Sequence, residues 1–319
     1  MTDGAALPTS GRKSRSARSL YFALAVTLVV GVAAVWLYGA TRRDDRIVFV
    51  AEKDGTWDLW WMRGDGSAPA QLTTTPLDER APALSPDRTQ VAYSTSDGAL
   101  WLLTTADRRT TRLPLDEGAR HSNPSWSADG TQLVFTTYTM SGQGEDSTLS
   151  MYDVKQKTPR QLLLQDGAQD YAQIHPDGRS MVYSSSGAIT IFGFGYVVAQ
   201  QLWTMSLVTG RVEQLLLARG KDTQPAWSPD GRSVAFASDR EGATQVWRAA
   251  ADGSDVTRLT HGPAASTHPA WSPGSDEVAF VSDDGRASTL AIVPASGGEP
   301  RRVDLSSAGI VSMRDPHWR

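Results

Sequence analysis

The chain has 319 residues, 40% of them hydrophobic, and a formal net charge of −4 at pH 7, so it is long enough for one large domain and a short anchor. The acidic balance argues against nucleic-acid binding, which needs a basic face. With no cysteine, the chain has no disulfide, no thiolate nucleophile, no cysteine-ligated metal and no lipidated N-terminal cysteine.

The first predicted element is an apolar helix. Residues 20–40 carry no charged side chain, and at 1.5 Å per residue they span about 31 Å, the thickness of the hydrocarbon core of a bilayer. Tyr21 at one end and Trp36 and Tyr38 at the other lie where aromatic side chains anchor a membrane helix. This stretch therefore predicts one transmembrane helix.

Charge around this stretch predicts its orientation. Four basic residues precede it and three follow it, which places the N-terminus inside the cytoplasmic (inner) membrane and the rest of the chain outside. The alternative is secretion after cleavage near Val32–Ala34, but the stretch is longer than an ordinary signal-peptide core, which favours a retained anchor. The predicted divisions are a cytoplasmic tail at 1–18, a signal anchor at 19–40, a linker at 41–45 and a folded domain at 46–319.

The folded domain repeats one phrase. Its fullest copy, residues 225–236, reads Pro-Ala-Trp-Ser-Pro-Asp-Gly-Arg-Ser-Val-Ala-Phe, and it is read as an inner strand A, a tight Pro-Asp-Gly turn and a strand B. The apolar triplets that open strand B begin at Ile47, Val91, Leu133, Met181, Val234 and Val278. Spacings of 42 to 53 residues are typical of a four-stranded propeller blade.

The two ends of the domain predict how the ring closes. The first repeat begins at a strand B, Arg46–Val50, and the last residues, Asp315–Arg319, form a strand A with no strand B after it. Pairing these halves completes one blade and removes exposed sheet edges. We therefore expect an all-β, six-bladed propeller after one transmembrane helix. Its periodic tryptophans on strands A and C are expected to pack between blades rather than to form a ligand cage.

Three motifs carry a family resemblance. The Pro-x-Trp-Ser-Pro-Asp-Gly phrase, the Ser-Asp-Arg-x-Gly loop at 238–242 and the Arg-Leu-Thr ending at 258–260 resemble the TolB-type, WD40-like (PD40) propeller repeat, and the resemblance covers residues 46–319. It implies an interaction platform in the bacterial envelope. TolB carries an α/β domain before its propeller, for which residues 1–45 leave no room, so we expect a TolB-like propeller other than TolB itself.

The sequence contains no Gly-x-Ser-x-Gly nucleophile turn, no Gly-rich phosphate loop and no His-Glu-x-x-His helix. The expectation is a protein without catalytic residues, cofactor or metal. A metal-dependent lyase or hydrolase that uses His121, His268 and His317, all near the start of a strand A, is an alternative. Their offsets from the repeat proline differ, so convergence of the three rings is not assured.

Polar residues cluster at the start of strand A and predict a site at one mouth of the channel. The candidate ligand-binding residues are Arg80, His121, Asn123, Asp170, Asp222, Gln224, His268, Arg314 and Asp315. Their mixed charge suits a polar peptide, a sugar or ordered water. A binder or sensor of a cell-wall fragment or sugar is therefore a second candidate function.

Two B–C connections break the repeat. Residues 140–146 are polar and are expected to form a flexible loop, and residues 187–199 are apolar, glycine-bearing and uncharged. The second is expected to be either an extended hairpin packed on the propeller face or exposed apolar surface for a partner or the bilayer. The candidate partner-binding residues are Ile189, Ile191, Phe192, Phe194, Tyr196 and Val197. The expected function is a membrane-anchored, extracytoplasmic protein–protein interaction scaffold for an unidentified envelope protein.

Overall fold

The computed structural model describes residues 45–141, 144–162, 167–191, 195–217 and 219–319, with backbone only for residues 141, 144, 187–191 and 195–199. Within these residues, the strands form six four-stranded antiparallel sheets arranged as the blades of a propeller, so the prediction of six blades is confirmed. No helix in this part of the chain is long and apolar enough to cross a membrane. The predicted anchor at 19–40 lies outside the described residues.

Each blade has an inner strand A, followed outwards by strands B, C and D. The inner strands are β4 (Glu79–Leu84), β8 (Arg120–Trp126), β12 (Gln169–Ile174), β16 (Asp222–Trp227), β20 (Ala265–Trp271) and β24 (Ser312–Trp318). The B strands are β1 (Arg46–Lys53), β5 (Gln90–Thr95), β9 (Gln132–Ser141), β13 (Ser180–Ile191), β17 (Ser233–Ser238) and β21 (Glu277–Asp283). The C strands are β2 (Thr56–Arg63), β6 (Leu100–Thr104), β10 (Gly144–Asp153), β14 (Gly195–Ser206), β18 (Gln245–Ala250) and β22 (Ser288–Pro294). The short outer D strands are β3 (Ala70–Gln71), β7 (Thr110–Arg112), β11 (Thr158–Gln161), β15 (Val212–Gln214), β19 (Thr257–Arg258) and β23 (Arg301–Arg302), and a 3₁₀ turn spans Ser306–Ala308.

The ring closes between the two ends of the propeller. Strand β24 pairs with β1, with Trp318 opposite Ile47 and Ser312 opposite Glu52. Each inner strand contacts the inner strand of the next blade, and β24 contacts β4. The predicted closure is therefore confirmed, and it pairs the inner edge of β1, which would otherwise present unpaired backbone groups to water.

Tryptophans at the ends of the inner strands join neighbouring blades. The indole Nε1 of Trp126 donates to the carbonyl of Ala83 in the preceding blade, and that of Trp271 donates to the carbonyl of Ala226, each at 2.9 Å. Both side chains are buried in clusters that contain residues of two adjacent blades. The expectation that the repeat tryptophans pack between blades is confirmed at these positions.

The Ser-Pro-Asp-Gly phrase forms the turn between strands A and B. In the fifth blade, Ser228 Oγ donates to Asp230 Oδ1 at 2.6 Å, and Gly231 adopts a φ of 71°. A side chain at that φ is disfavoured, which explains the glycine. Ser85 with Asp87 and Ser127 with Asp129 repeat the same hydrogen bond at 2.6 Å. The role of this phrase is therefore to form the tight turn between strands A and B.

Both irregular B–C connections are hairpins. In the third blade, β9 and β10 stay paired out to Ser141 and Gly144, so residues 140, 141 and 144–146 belong to strands and the expectation of a loop there is wrong, because backbone pairing continues into the segment. In the fourth blade, β13 and β14 stay paired out to Ile191 and Gly195, so the predicted extended hairpin is confirmed as strand pairing, while its predicted packing on the propeller face concerns side chains outside the described residues. Phe192 and Phe194 lie outside the described residues, as do the side chains of the other four candidate partner-binding residues.

Candidate functional site

Every inner strand contains a β-bulge where it borders the channel. In each blade two consecutive residues of strand A lie opposite one aromatic residue of strand B, as in a bulged ladder. The first residue of each bulge has positive φ: Ala81 47°, Asn123 52°, Tyr171 53°, Gln224 54°, His268 52° and Asp315 51°. This conformation costs a non-glycine residue about 1 kcal/mol, so the neighbouring blades must hold it in place. We call these six residues the bulge ring.

Hydrogen bonds across blades hold the bulge ring. Asp315 Oδ2 accepts from the backbone N–H of Ala81 at 3.0 Å, and Gln224 Oε1 accepts from the backbone N–H of His268 at 2.9 Å. In both pairs, a bulge side chain of one blade binds the bulge backbone of the next. His268 Nε2 lies 3.3 Å from Asp315 Oδ1, and Tyr171 packs edge-on against His268 with ring centroids 6.1 Å apart.

A second layer of the channel wall repeats this arrangement two residues further along the inner strands. Gln173 Oε1 accepts from the backbone N–H of Trp227 at 3.0 Å, and His317 Nδ1 accepts from that of Leu84 at 3.2 Å. Burial lowers the pKa of His317 to about 3, so the ring is neutral and remains an acceptor. Only about 90 Å³ of space remains between the bulge ring and this layer, which leaves the channel narrow here.

The channel widens beyond the bulge ring into a polar cavity of about 400 Å³, which we call the polar mouth. Hydroxyl groups at the end of β5, in the β5–β6 connection and in the third blade line it, with Ser94 Oγ 3.2 Å from Ser122 Oγ. Because the B–C connections of all blades lie on one face of a propeller, the polar mouth opens on the same face as the hairpins β9–β10 and β13–β14.

Three arginines stand around the polar mouth, and we call Arg80, Arg120 and Arg314 the arginine rim. Arg314 lies over the Trp57 ring at 3.9 Å, and its Nη2 donates to the Glu79 carbonyl at 3.1 Å. Arg120 is ion-paired with Glu145 on β10 and stacks at 5.4 Å on Tyr138. The rim is thus cationic, and two of its three guanidinium groups, those of Arg120 and Arg314, lie over aromatic rings.

Asp170 lies between the third and fourth blades, and its carboxylate accepts hydrogen bonds from four donors. Its Oδ1 accepts from Asn123 Nδ2 at 2.7 Å, from Thr136 Oγ1 at 2.6 Å and from the Tyr171 backbone at 2.7 Å. Its Oδ2 accepts from Tyr138 Oη at 2.7 Å. This carboxylate fixes the Asn123 and Tyr138 side chains that border the polar mouth, and it has little capacity left for a ligand.

Not all predicted site residues reach the channel. Asp222 is fully buried inside the fifth blade, where Arg240 Nη2 at 2.8 Å and Ser238 Oγ at 2.6 Å donate to it, and it lines neither mouth. Burial raises its pKa despite the pairing with Arg240. His121 borders the polar mouth, but its Nε2 lies 3.0 Å from the Asp116 carbonyl. The other seven candidates lie at the bulge ring or one residue from it.

The three histidines of the metal alternative lie at different depths. His121 is two residues before a bulge, His268 is at a bulge and His317 is two residues after one. At about 3.3 Å per residue these positions spread over roughly 13 Å of channel. Across the described ranges, no three histidine or acidic side chains are grouped as metal ligands. The structure therefore does not bring these rings together.

Two channel features were missed from the sequence. Ala81 and Tyr171 belong to the bulge ring, and the signal for them is the residue just before the repeat proline, or before Ala172, which replaces it in the fourth blade. The opposite mouth, about 290 Å³, is lined by tryptophans and turn prolines, because four inner strands end in a tryptophan on that face and four are followed by a proline in the A–B turn.

Six four-stranded blades and a ring closed by pairing its two ends define a six-bladed propeller, and comparisons with known proteins show that it is similar to propellers of the TolB type. The family model of the Tricorn protease N-terminal β-propeller domain matches residues 194–317. A protein named TolB homolog from Chlorobium luteolum is 30% identical over 199 residues, which are 61% of this chain and 32% of the homolog. This chain spans about a third of the length of the curated relatives that it matches.

Solved structures share the fold. TolB from Acinetobacter baumannii superposes with a TM-score of 0.73 at 20% identity, covering 87% of this chain and 67% of that one. An oligogalacturonate lyase in complex with manganese superposes with a TM-score of 0.58 at 16% identity, covering 81% of this chain and 73% of the lyase. Since the same architecture occurs in TolB and in an enzyme, function has to be argued from the site.

Proposed function

We propose that this protein is a membrane-anchored, extracytoplasmic scaffold that binds another protein of the bacterial envelope and catalyses no reaction. The observation that carries the proposal is the pair of long hairpins on adjacent blades, β9–β10 and β13–β14, which break the repeat on the same face as the polar mouth. Departures from a repeat that concentrate on one face are typical of a binding surface. The apolar, uncharged sequence at 187–199 is suited to a protein contact.

Two further observations support a binding role. The polar side chains of the bulge ring are engaged with one another and with the neighbouring backbone, as expected of a wall that supports a site. The resemblance to TolB-type propellers implies an interaction platform in the bacterial envelope, and the anchor proposed at residues 19–40 would hold the propeller at the outer surface of the inner membrane.

The outer part of the hairpin β13–β14 can be replaced by a short turn that keeps the rest of both strands in the blade. Gly187 and Ala199 are directly paired, so residues 188–198 can be replaced by Asn-Gly, which forms a two-residue hairpin turn. Wild type and variant are cross-linked in spheroplasts with a membrane-impermeant reagent, and the cross-linked proteins are quantified by mass spectrometry. We expect the variant to keep its thermal unfolding midpoint and to lose the partners of the wild type.

A matched control removes Gly297 and Gly298 from the β22–β23 connection, which lies on the opposite face. This variant should keep the full set of cross-linked partners. An unchanged partner set in the hairpin variant, or the absence of cross-links to the wild type with an impermeant reagent, would contradict the proposal.

A further inference from the structure

The lining of the polar mouth carries more positive than negative charge. It contains the three arginines of the rim and one carboxylate, Asp315. Both oxygens of Asp315 are already engaged, Oδ2 by the Ala81 N–H at 3.0 Å and Oδ1 beside His268 Nε2 at 3.3 Å. Asp78 and Glu52 act on Arg314 but do not line the cavity. The mouth can therefore accept an anion from outside.

Arg314 is oriented to receive one. Its guanidinium carbon lies 3.9 Å from the centroid of the Trp57 ring, and Nη2 is fixed on the Glu79 carbonyl. Its Nε is buried and lies 4.0 Å from Asp315 Oδ2, and 25% of the side chain is exposed. The exposed part of a guanidinium held in this way can pair with the planar carboxylate of a ligand. Arg80 is exposed beside it and has no ion pair in the part of the chain that the structure describes.

The rim already binds one carboxylate. Glu145, on the hairpin strand β10, pairs with Arg120, so a peptide carboxylate lies against one of the three arginines from the hairpin face. Among the described residues, neither Arg80 nor Arg314 pairs with a carboxylate of a hairpin, and the carboxylate beside Arg314 is that of Asp315 in the channel wall. The Ser94 and Ser122 hydroxyls, 3.2 Å apart, offer hydrogen bonds further inside the same cavity.

We infer that the polar mouth binds an acidic segment of a partner protein, with one Asp or Glu carboxylate of that segment held between Arg80 and Arg314. This inference rests on the proposed function, since the partner is the one that the hairpin face would bind. A cavity of about 400 Å³ that narrows at the bulge ring admits one or two side chains and stops the main chain at the mouth.

The test uses the full-length chain in a non-ionic detergent, because residues 20–40 are apolar. A fluorescein-labelled peptide, Gly-Ser-Glu-Gly-Glu-Ser-Gly, and its glutamine counterpart are titrated by fluorescence anisotropy. We expect the glutamate peptide to bind, the glutamine peptide not to bind, and added salt to weaken binding. Arg80→Gln should weaken binding roughly tenfold, as expected for the loss of one charged hydrogen bond.

Two further variants keep the test independent of folding. Arg232→Gln removes the same charge from an exposed A–B turn on the opposite face and should bind like wild type. Glu145→Gln frees Arg120 and should tighten binding, an effect that damage to the fold would not produce.

Equal binding of the two peptides, or equal binding by Arg80→Gln and Arg232→Gln, would overturn the inference. Binding of a digalacturonate probe with no peptide binding would also overturn it and would assign the mouth to a sugar acid. The cross-linking experiment does not involve Arg80. Cross-linked partners without peptide binding would therefore overturn only this inference, whereas the absence of cross-linked partners would overturn the proposed function.

Discussion

His317 is an ionisable ring that serves as a hydrogen-bond acceptor in the channel wall. Burial lowers its pKa to about 3, below the usual value of about 6.5 that it regains on unfolding. A group with a depressed folded pKa stabilises the fold above its unfolded pKa, and that contribution is lost as pH falls from about 6.5 towards 3. His317 should therefore make the propeller sensitive to mild acid.

The chain suggests a conservative replacement. Gln173 occupies the equivalent position in the fourth blade and accepts the same type of backbone hydrogen bond. We expect His317→Gln to match wild type in urea unfolding at neutral pH and to lose less stability when the pH is lowered to about 4.5. His261→Gln, at an exposed loop, is the control and should lose as much as wild type. Parallel losses in all three proteins would show that His317 has no such role.

The bulges explain why channel residues were identified only in part from sequence. In a regular strand, every second side chain points to the same face. A bulge inserts one residue and so shifts this alternation by one position. Asp170 was therefore named as a mouth residue while its neighbour Tyr171 lies in the bulge ring. The ion pair of Asp222 with Arg240 follows from neither period nor motif, because the two charges meet only when β16 and β17 pair.

At the scale of elements, the tryptophan that ends an inner strand has a hydrogen bond in some blades and not in others. Trp271 Nε1 donates to the Ala226 carbonyl, whereas Trp227 Nε1, at the same position one blade earlier, has no acceptor within the described ranges. Both side chains are buried. Comparing the same substitution at these two positions therefore separates the contribution of the hydrogen bond to stability from that of packing.

We expect Trp271→Phe to be less stable than Trp227→Phe by about 0.5–1.5 kcal/mol, the usual net value of one such bond. The two changes remove the same atoms, so the loss of packing largely cancels in the comparison. Urea unfolding of the full-length chain measures the difference. Equal destabilisation would mean that the indole–carbonyl bond adds nothing to blade packing.

The elements were predictable where the repeat is regular and only in part where it is broken. A regular blade such as the fifth was read from turn chemistry and alternation, and the predicted triplet at Val234 lies in β17 (Ser233–Ser238). The segment at 140–146 was predicted to be a flexible loop because it is polar and departs from the repeat. Pairing with Thr139 and its neighbours holds it in a hairpin all the same, since tertiary pairing overrides local preference.

At the scale of the whole molecule, only the pairing of β24 with β1 joins residues from the two ends of the propeller in one sheet. Glu52 and Ser312 face each other there and are both half-buried. Since the chain has no cysteine, Glu52→Cys with Ser312→Cys would form a single defined disulfide. We expect oxidation of this variant to stabilise it by about 2–4 kcal/mol.

The measurement is the thermal unfolding midpoint with and without reductant. Each single-cysteine variant is the control and should show no response. A double variant that forms the disulfide, as counted by free thiols, and yet unfolds at the same temperature in both states would show that separation of β24 from β1 is not part of the unfolding that limits stability.

The bulge ring has a consequence for how such a protein diversifies. Its six positions hold Ala, Asn, Tyr, Gln, His and Asp on the same backbone conformation, so that conformation does not require one type of side chain. A substitution at Ala81, whose methyl group forms no hydrogen bond, would change the lining of the channel and leave the strand ladders as they are. At Gln224 and Asp315 the side chain also accepts from the backbone of the next blade, so a substitution there would change the lining at the cost of a contact between blades.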